Sequence, residues 1–270
     1  MPHLAAPPAH AVAVEVGGIP VLVRTSDPDF ARMLQDRYTG FVNPSALPVF
    51  EFDVDLVVPT GMTPDEDVQV RCKNGRWRFR RGDFHAEWDP RSGRGRVCQS
   101  PNPYSIDSVL RIVHTIILGN EGGFLLHSAS AVRNGRAFLF SGLSGAGKTT
   151  ISRLAPPDAA LLTDEVSYIR RQGDGYRAFG TPFAGELARL GENVAAPIAA
   201  VYLLVQGLEN RIDPVPLREA TQLLLRNILF FAEEPALVWR VFDAACEFVA
   251  RVPVQRLTFF PDQRVWELIQ

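Results

Sequence analysis

From Val12 to Gln99 apolar and polar positions alternate in short runs, the period of strands half buried in a sheet. The runs Ala13 to Val16, Pro20 to Arg24, Phe50 to Val58, Val68 to Cys72, Arg76 to Arg80 and Phe84 to Trp88 predict strands. Turn signals at Lys73-Asn74-Gly75 and Arg81-Gly82-Asp83 separate the last three. One helix is predicted within this half, Asp29 to Tyr38. Residues 1–11, rich in Pro and Ala, are expected to form a disordered lead-in, with order beginning near Val12. Residues 12–100 are then a β-rich N-terminal lobe, in which no acid, base and phosphate-binding residues gather.

Pro101-Asn102-Pro103 breaks that pattern, and Ile106, Val109, Leu110, Val113, Ile116 and Ile117 recur at helical spacing after it, predicting a helix from about Tyr104 to Leu118. Two apolar runs follow Gly122-Gly123, Phe124 to Val132 and Arg136 to Phe140. They meet at Asn134-Gly135, a dipeptide suited to a two-residue hairpin because both residues tolerate positive φ. A helix is expected from Lys148 until Pro156-Pro157 stops it. Further strands are predicted at Ala159 to Leu162, Val166 to Arg170, Tyr176 to Phe179, Ala199 to Val205, Val254 to Phe259 and Arg264 to Leu268, and helices near Leu217 to Phe231 and Pro235 to Ala250. The expected fold class is α+β or α/β, the β-rich lobe preceding a second domain over residues 101–270.

Bulk properties narrow the function classes. With 270 residues, 46% hydrophobic and 21% charged, the chain has the composition of a globular protein of one large or two modest domains. Lys and Arg total 28 against 30 Asp and Glu, a net charge of -2, so there is no sequence-wide attraction to nucleic acid or to an anionic membrane, and neither is expected as a partner. Cys72, Cys98 and Cys246 match no zinc or redox spacing and read as free thiols of a reducing compartment. The N-terminus lacks a basic start and an apolar run, and no stretch approaches the roughly 18 to 20 apolar residues of a membrane span, so a cytoplasmic location is expected.

The candidate chemistry lies after the hairpin. Gly142-Leu143-Ser144-Gly145-Ala146-Gly147-Lys148-Thr149 fits G-x-x-x-x-G-K-[ST] at every position, directly after an apolar strand and before an expected helix. Without Cβ atoms at Gly142, Gly145 and Gly147 the backbone can fold around phosphates and aim its N–H groups at them, aided by the start of the helix. Lys148 is expected to neutralise β and γ oxygens and Thr149 to meet Mg²⁺, with Gly142 to Thr150 forming the nucleotide-binding run. The implied ligands are ATP and Mg²⁺.

Asp164 and Glu165 end an apolar run 16 and 17 positions after Lys148, room for one short helix and one strand, which returns two acids to the phosphate loop. One carboxylate can hold Mg²⁺ and the other can accept the proton of an attacking hydroxyl, so Thr149, Asp164 and Glu165 are candidate metal ligands. His127 lies on the strand before the hairpin, and antiparallel pairing would bring it toward the same end.

Phe140 to Thr150, with Leu162-Thr163-Asp164-Glu165 after it and His127 fifteen residues before Gly142, resembles the kinase core of the HPr kinase/phosphorylase and ATP-dependent phosphoenolpyruvate carboxykinase superfamily. The resemblance implies a P-loop kinase core with the histidine and the acidic pair flanking the γ-phosphate and metal site, hence His127, Lys148, Asp164 and Glu165 as the catalytic set. Glu165 stands where those families usually have Asp, which leaves open which acid is the base. Within that resemblance the chain is most similar to HPr-kinase-related proteins of bacterial gene clusters, some of which look like kinases acting on serine in peptides. Their pieces match a β-rich lobe, a Gly180-Thr181-Pro182-Phe183-Ala184-Gly185-Glu186 segment and a C-terminal strand pair ending in Val265-Trp266-Glu267-Leu268.

The function expected is ATP-dependent phosphotransfer to a Ser or Thr hydroxyl of a protein or peptide, with a nucleotide switch of little catalysis or a small-molecule kinase as alternatives, and with room for a homo-oligomer. Replacing Lys148 with Ala removes the charge meant for β and γ phosphates and should weaken ATP binding. Thr149→Ala should mainly raise the Mg²⁺ requirement. Unchanged affinity in both variants by calorimetry would end the phosphate-loop assignment.

Overall fold

The computed structural model describes residues 10–57, 67–183, 185, 187 and 191–269. The chain divides into two compact units, Met1–His114 with Phe231–Pro235, and Thr115–Phe230 with Ala236–Gln270.

In the first unit, β1 (His10–Val16), β2 (Ile19–Thr25), α1 (Pro28–Arg37), β3 (Phe50–Leu56), β4 (Gln69–Lys73), β5 (Arg76–Arg81), β6 (Phe84–Asp89) and β7 (Arg94–Gln99) precede α2 (Pro103–Glu121), inside which the division falls. β1 starts at His10, ahead of the expected onset at Val12. Among the described residues, seven strands pair in the order β1-β2-β3-β7-β6-β5-β4, with β2–β3 and β3–β7 parallel and the rest antiparallel. Alternation does its expected work: Trp77, Phe79, Ala86 and Trp88 are buried while Arg76, Arg78, Arg80 and Glu87 on the same strands are exposed. β7 was not expected, because Arg94, Arg96 and Gly95 hide the alternation in a run with few apolar residues. Val58, at the end of the expected third strand, lies outside the described residues.

Helix α1 begins where Asp27 accepts hydrogen bonds from the amides of Asp29 and Phe30 at 2.9 and 2.8 Å, with Pro28 in the first turn. It ends on a buried polar cluster. Asp107 of α2 accepts from Tyr38 Oη at 2.6 Å and from Arg37 Nε at 3.0 Å. Burial, reinforced by the Asp107 carboxylate, raises the Tyr38 phenol well above its ordinary range, so it remains a donor.

The second unit holds β8 (Phe124–Arg133), β9 (Arg136–Ser141), α3 (Lys148–Arg153), β10 (Ala160–Thr163), β11 (Val166–Gln172), β12 (Gly175–Phe179), β13 (Ala195–Gln206), β14 (Arg211–Pro214), α4 (Leu217–Leu225), β15 (Ile228–Leu229), α5 (Pro235–Arg251) after its first residue, and β16 (Val254–Phe259). The expected hairpin joins β8 to β9, with Asn134 and Gly135 at φ of 52° and 70°. Pairings run from β8 to β9, β13, β12, β11 and back to β8, and β13 adds parallel β16, which carries antiparallel β14. On β13, Val201 and Leu203 face α4 and α5 with Leu224, Ala245 and Phe248, while Ala200, Tyr202 and Leu204 face the opposite way with Ile151 and Trp266. The architecture is mixed α/β and strand-rich, with two mixed sheets. No helix among the described residues is long and apolar enough to cross a membrane.

Two expected elements are corrected. The predicted helix Leu217 to Phe231 stops at Leu225, and Ile228-Leu229 leaves it to pair with Leu126 and Leu125 of β8. An open strand edge is satisfied there at the expense of local helical preference. Of the expected C-terminal strand pair, the first member is β16 as expected, while the second, the predicted strand Arg264 to Leu268, is instead a 3-10 helix, Gln263–Glu267. Asp262 caps it by accepting from the Arg264 amide, and Trp266 packs edge-on to Phe140 at 5.3 Å while its Nε1 donates to Ile151 O at 3.1 Å.

Asp107→Ala should destabilise the first unit by about 2–4 kcal/mol, because it leaves a phenol and a guanidinium with little water and no acceptor. Urea unfolding followed by tryptophan fluorescence measures this. Removing the exposed Asp29, paired with Arg32, should leave the midpoint unchanged.

Candidate active site

Strand β9 is buried through Phe138, Leu139 and Phe140, and the chain leaves the sheet at Gly142 to re-enter regular structure as α3 at Lys148. Gly147 caps α3 at φ 108°, and a Cβ there would lie 2.5 Å from the Phe259 ring, so only glycine fits. The loop is tied across itself by Ala146 N donating to Leu143 O at 3.1 Å, and from β13 by Gln206 Nε2 donating to Gly145 O at 2.6 Å. The Lys148 ammonium, largely buried, donates to the carbonyls of Gly142 and Leu143 at 2.9 and 3.2 Å, which holds it at the loop. α3 has six residues, so its dipole is weak and electrostatics here depend mainly on Lys148 and the loop amides.

The acidic pair links β10 to β11. Thr163 Oγ1 accepts from the amides of Glu165 and Val166 at 3.2 and 3.1 Å, folding Asp164-Glu165 into a tight connection. Asp164 is 4% exposed, yet both its oxygens are engaged: Oδ1 accepts from Gly185 N at 2.8 Å and Oδ2 from Leu187 N at 2.9 Å. Burial of a carboxylate demands such donors. At Gly185 a Cβ would come within 2.8 Å of Glu165 Oε2 and 2.9 Å of Asp164 Oδ2, so the absence of a side chain lets this backbone close on both acids.

His127 on β8 pairs with Val166 of β11; its amide donates to Asn227 O at 2.7 Å, and its carbonyl accepts from Ser141 Oγ at 3.2 Å. Segments far apart in sequence therefore converge. His127, Ser144, Gly145, Gly147, Lys148, Thr149, Thr150, Asp164 and Glu165, all expected, line a cavity of about 310 Å³ together with Gly185 and Gln206. Gly142, Leu143 and Ala146 belong to the loop without lining it, and the Leu143 side chain is 69% exposed. The cavity sits at the carboxyl ends of parallel β9, β13 and β16, where open α/β sheets usually place ligands.

Of the Gly180 to Glu186 segment, Thr181 and Phe183 are buried and Gly185 reaches the site, whereas Glu186 lies outside the described residues. Arg170 and Arg171 pair with Glu121 and Glu247. Sequence reasoning missed Gln206, whose available signal was a polar residue directly after the apolar run Ala199 to Val205. It also missed the Leu187 amide, a backbone donor with no sequence signature. Among the described residues no group of three or more His, Cys, Asp or Glu is placed to hold a metal ion. Thr149, Asp164 and Glu165 nevertheless share the cavity as oxygen donors, the class that suits Mg²⁺ when a ligand's phosphates complete the coordination.

A family model described as SynChlorMet cassette protein ScmC matches residues 100–270, the stretch that contains every residue of the cavity. The chain belongs to the ScmC family. No curated protein matches it. Among solved structures, the Hpr(Ser) kinase/phosphatase from Coxiella burnetii is a distant resemblance, 12% identical over 54% of this chain and 85% of that one, with a TM-score of 0.30. The family name states no reaction, so the chemistry is argued from the cavity.

If Asp164 holds the backbone around Gly185 in place, Asp164→Ala releases two charge-assisted hydrogen bonds. Hydrogen exchange of the Gly185 and Leu187 amides should then accelerate by about tenfold or more. Exchange by mass spectrometry at the wild-type rate would show that the carboxylate does not anchor this segment.

Proposed function

We propose that the chain is an ATP-dependent phosphotransferase that moves the γ-phosphoryl group to a hydroxyl, that of a serine or threonine in a protein or peptide. The observation that carries this reading is the convergence of Lys148, Thr149, Asp164, Glu165 and His127 on one cavity at the glycine-rich loop. A cation, a hydroxyl and two carboxylates in such a pocket are the parts phosphoryl transfer needs, since catalysis there is mostly positioning and charge stabilisation.

In this reading the loop amides and Lys148 bind the β and γ phosphates. Thr149 and one of the two acids would hold Mg²⁺, which when bound neutralises charge on the phosphate oxygens. The other acid accepts the proton of the acceptor hydroxyl as its oxygen bonds to the γ-phosphorus and the bond to the β–γ bridging oxygen breaks, with ADP leaving. His127, on β8 beside the acids, can donate a hydrogen bond to the moving phosphoryl group. Gln206 keeps the loop in shape through the Gly145 carbonyl. Asp164 is held in a fixed orientation by the Gly185 and Leu187 amides, and Glu165 adjoins it in the cavity.

The decisive experiment is incubation with γ-labelled ATP, Mg²⁺ and candidate peptides, scored for labelled peptide rather than free phosphate. Asp164→Asn and Glu165→Gln divide the roles. The variant that loses the base should bind Mg-ATP normally while transfer falls by about 10² to 10⁴. The variant that loses the metal ligand should weaken Mg-ATP binding itself. Normal binding and normal transfer in both would refute the mechanism.

A further inference from the structure

The outward face of the first unit's sheet carries a concentration of positive charge that its fold does not require. On β4 and β5, Arg71 lies directly opposite Arg78, and Lys73 opposite Arg76, with Arg80 opposite Gln69. Like charges facing each other across strands are destabilising. The Arg91 guanidinium adds to the cluster, close to Gly75 in the β4–β5 turn. Counter-charge on β6 is partial: Glu87 pairs with Arg78 at 2.9 Å and Asp89 with Arg76 at 3.4 Å, while Arg71, Lys73 and Arg80 have no ion pair among the described residues. Shallow cavities of about 380 and 500 Å³ flank Arg78, one lined by Lys73, Asn74 and Arg76 and the other by Arg80, His85 and Glu87. One lysine or a single inward charge is enough to protect an edge strand from pairing, so edge protection does not account for five cations on two strands.

We propose that this face binds an acidic segment of a partner polypeptide. The aromatic residues of these strands, Trp77, Phe79 and Trp88, are buried, so the described residues of this face offer no stacking platform for single-stranded nucleic acid and no apolar surface for lipid. Glu87 and Asp89 interrupt the positive charge, which opposes a continuous phosphate backbone and suits separated carboxylates on a short segment. The inference is independent of the phosphotransfer reading, since none of these residues belongs to the cavity described above.

The test measures binding of a fluorescein-labelled, glutamate-rich peptide to the full chain by anisotropy, against a neutral peptide, an oligonucleotide of equal charge and phosphatidylserine vesicles. The acidic peptide should bind more tightly than all three, and less tightly as salt rises. Arg71→Glu, Lys73→Glu and Arg80→Glu together should weaken it by about tenfold or more, and Arg218→Glu, an exposed cation of the second unit, should leave it unchanged. Because the three reversed residues are exposed and have no ion pair among the described residues, the triple variant should melt with the wild type. Overturning results are affinity unaltered by the triple variant, no binding of the acidic peptide, or tighter binding of the oligonucleotide or the vesicles.

Discussion

The pairing register of β8 is the constraint from which the candidate site follows. Both neighbours of this strand change within a few residues: on one edge β9 gives way to β15, and on the other β10 gives way to β11. Ser128 stands at the changeover, opposite Ser141, the last residue before the glycine-rich loop, and donates its amide to Glu165 O at 3.0 Å. The loop and the acidic pair are thus fixed to opposite edges of one strand, with His127 beside them. A slip of one residue would invert every side chain of β8 and separate these groups.

Buried polar contacts hold that register as well as the hydrophobic faces do. Ser128 Oγ donates to Ser167 Oγ at 2.8 Å, Ser167 Oγ lies 3.1 Å from Ser128 O, and Ser141 Oγ donates to His127 O. Satisfied networks of this kind discriminate against near-native pairings in which the same hydroxyls would lack partners. The apolar layers on either side supply most of the stability, while the hydroxyls select one alignment.

The anchored Asp164 connects this scaffold to chemistry. A carboxylate exposed to solvent could satisfy itself with water, but one buried here requires the Gly185 and Leu187 amides, and so couples the acids to a segment some twenty positions later. The closeness of Gly185 to both carboxylates allows that coupling without a side chain intervening.

Sequence alone determined the features whose physics is local: the alternation of the strands, the Asn134-Gly135 hairpin, and a loop whose glycines, lysine and threonine must be contiguous to act together. The acids were legible because a short spacing from Lys148 left few places for them to go. Tertiary structure decided what depends on partners distant in the chain. Ile228-Leu229 became a strand because β8 had an open edge, and Val265-Trp266 entered a 3-10 helix because Trp266 had a ring and a carbonyl to meet. Gln206 and the Leu187 amide joined the loop and the acids because parallel pairing of β13 with β9, and folding of the segment after β12, delivered them there. Local periodicity records which face of an element is apolar; it does not record which element will lie against it, and that choice assembled the site.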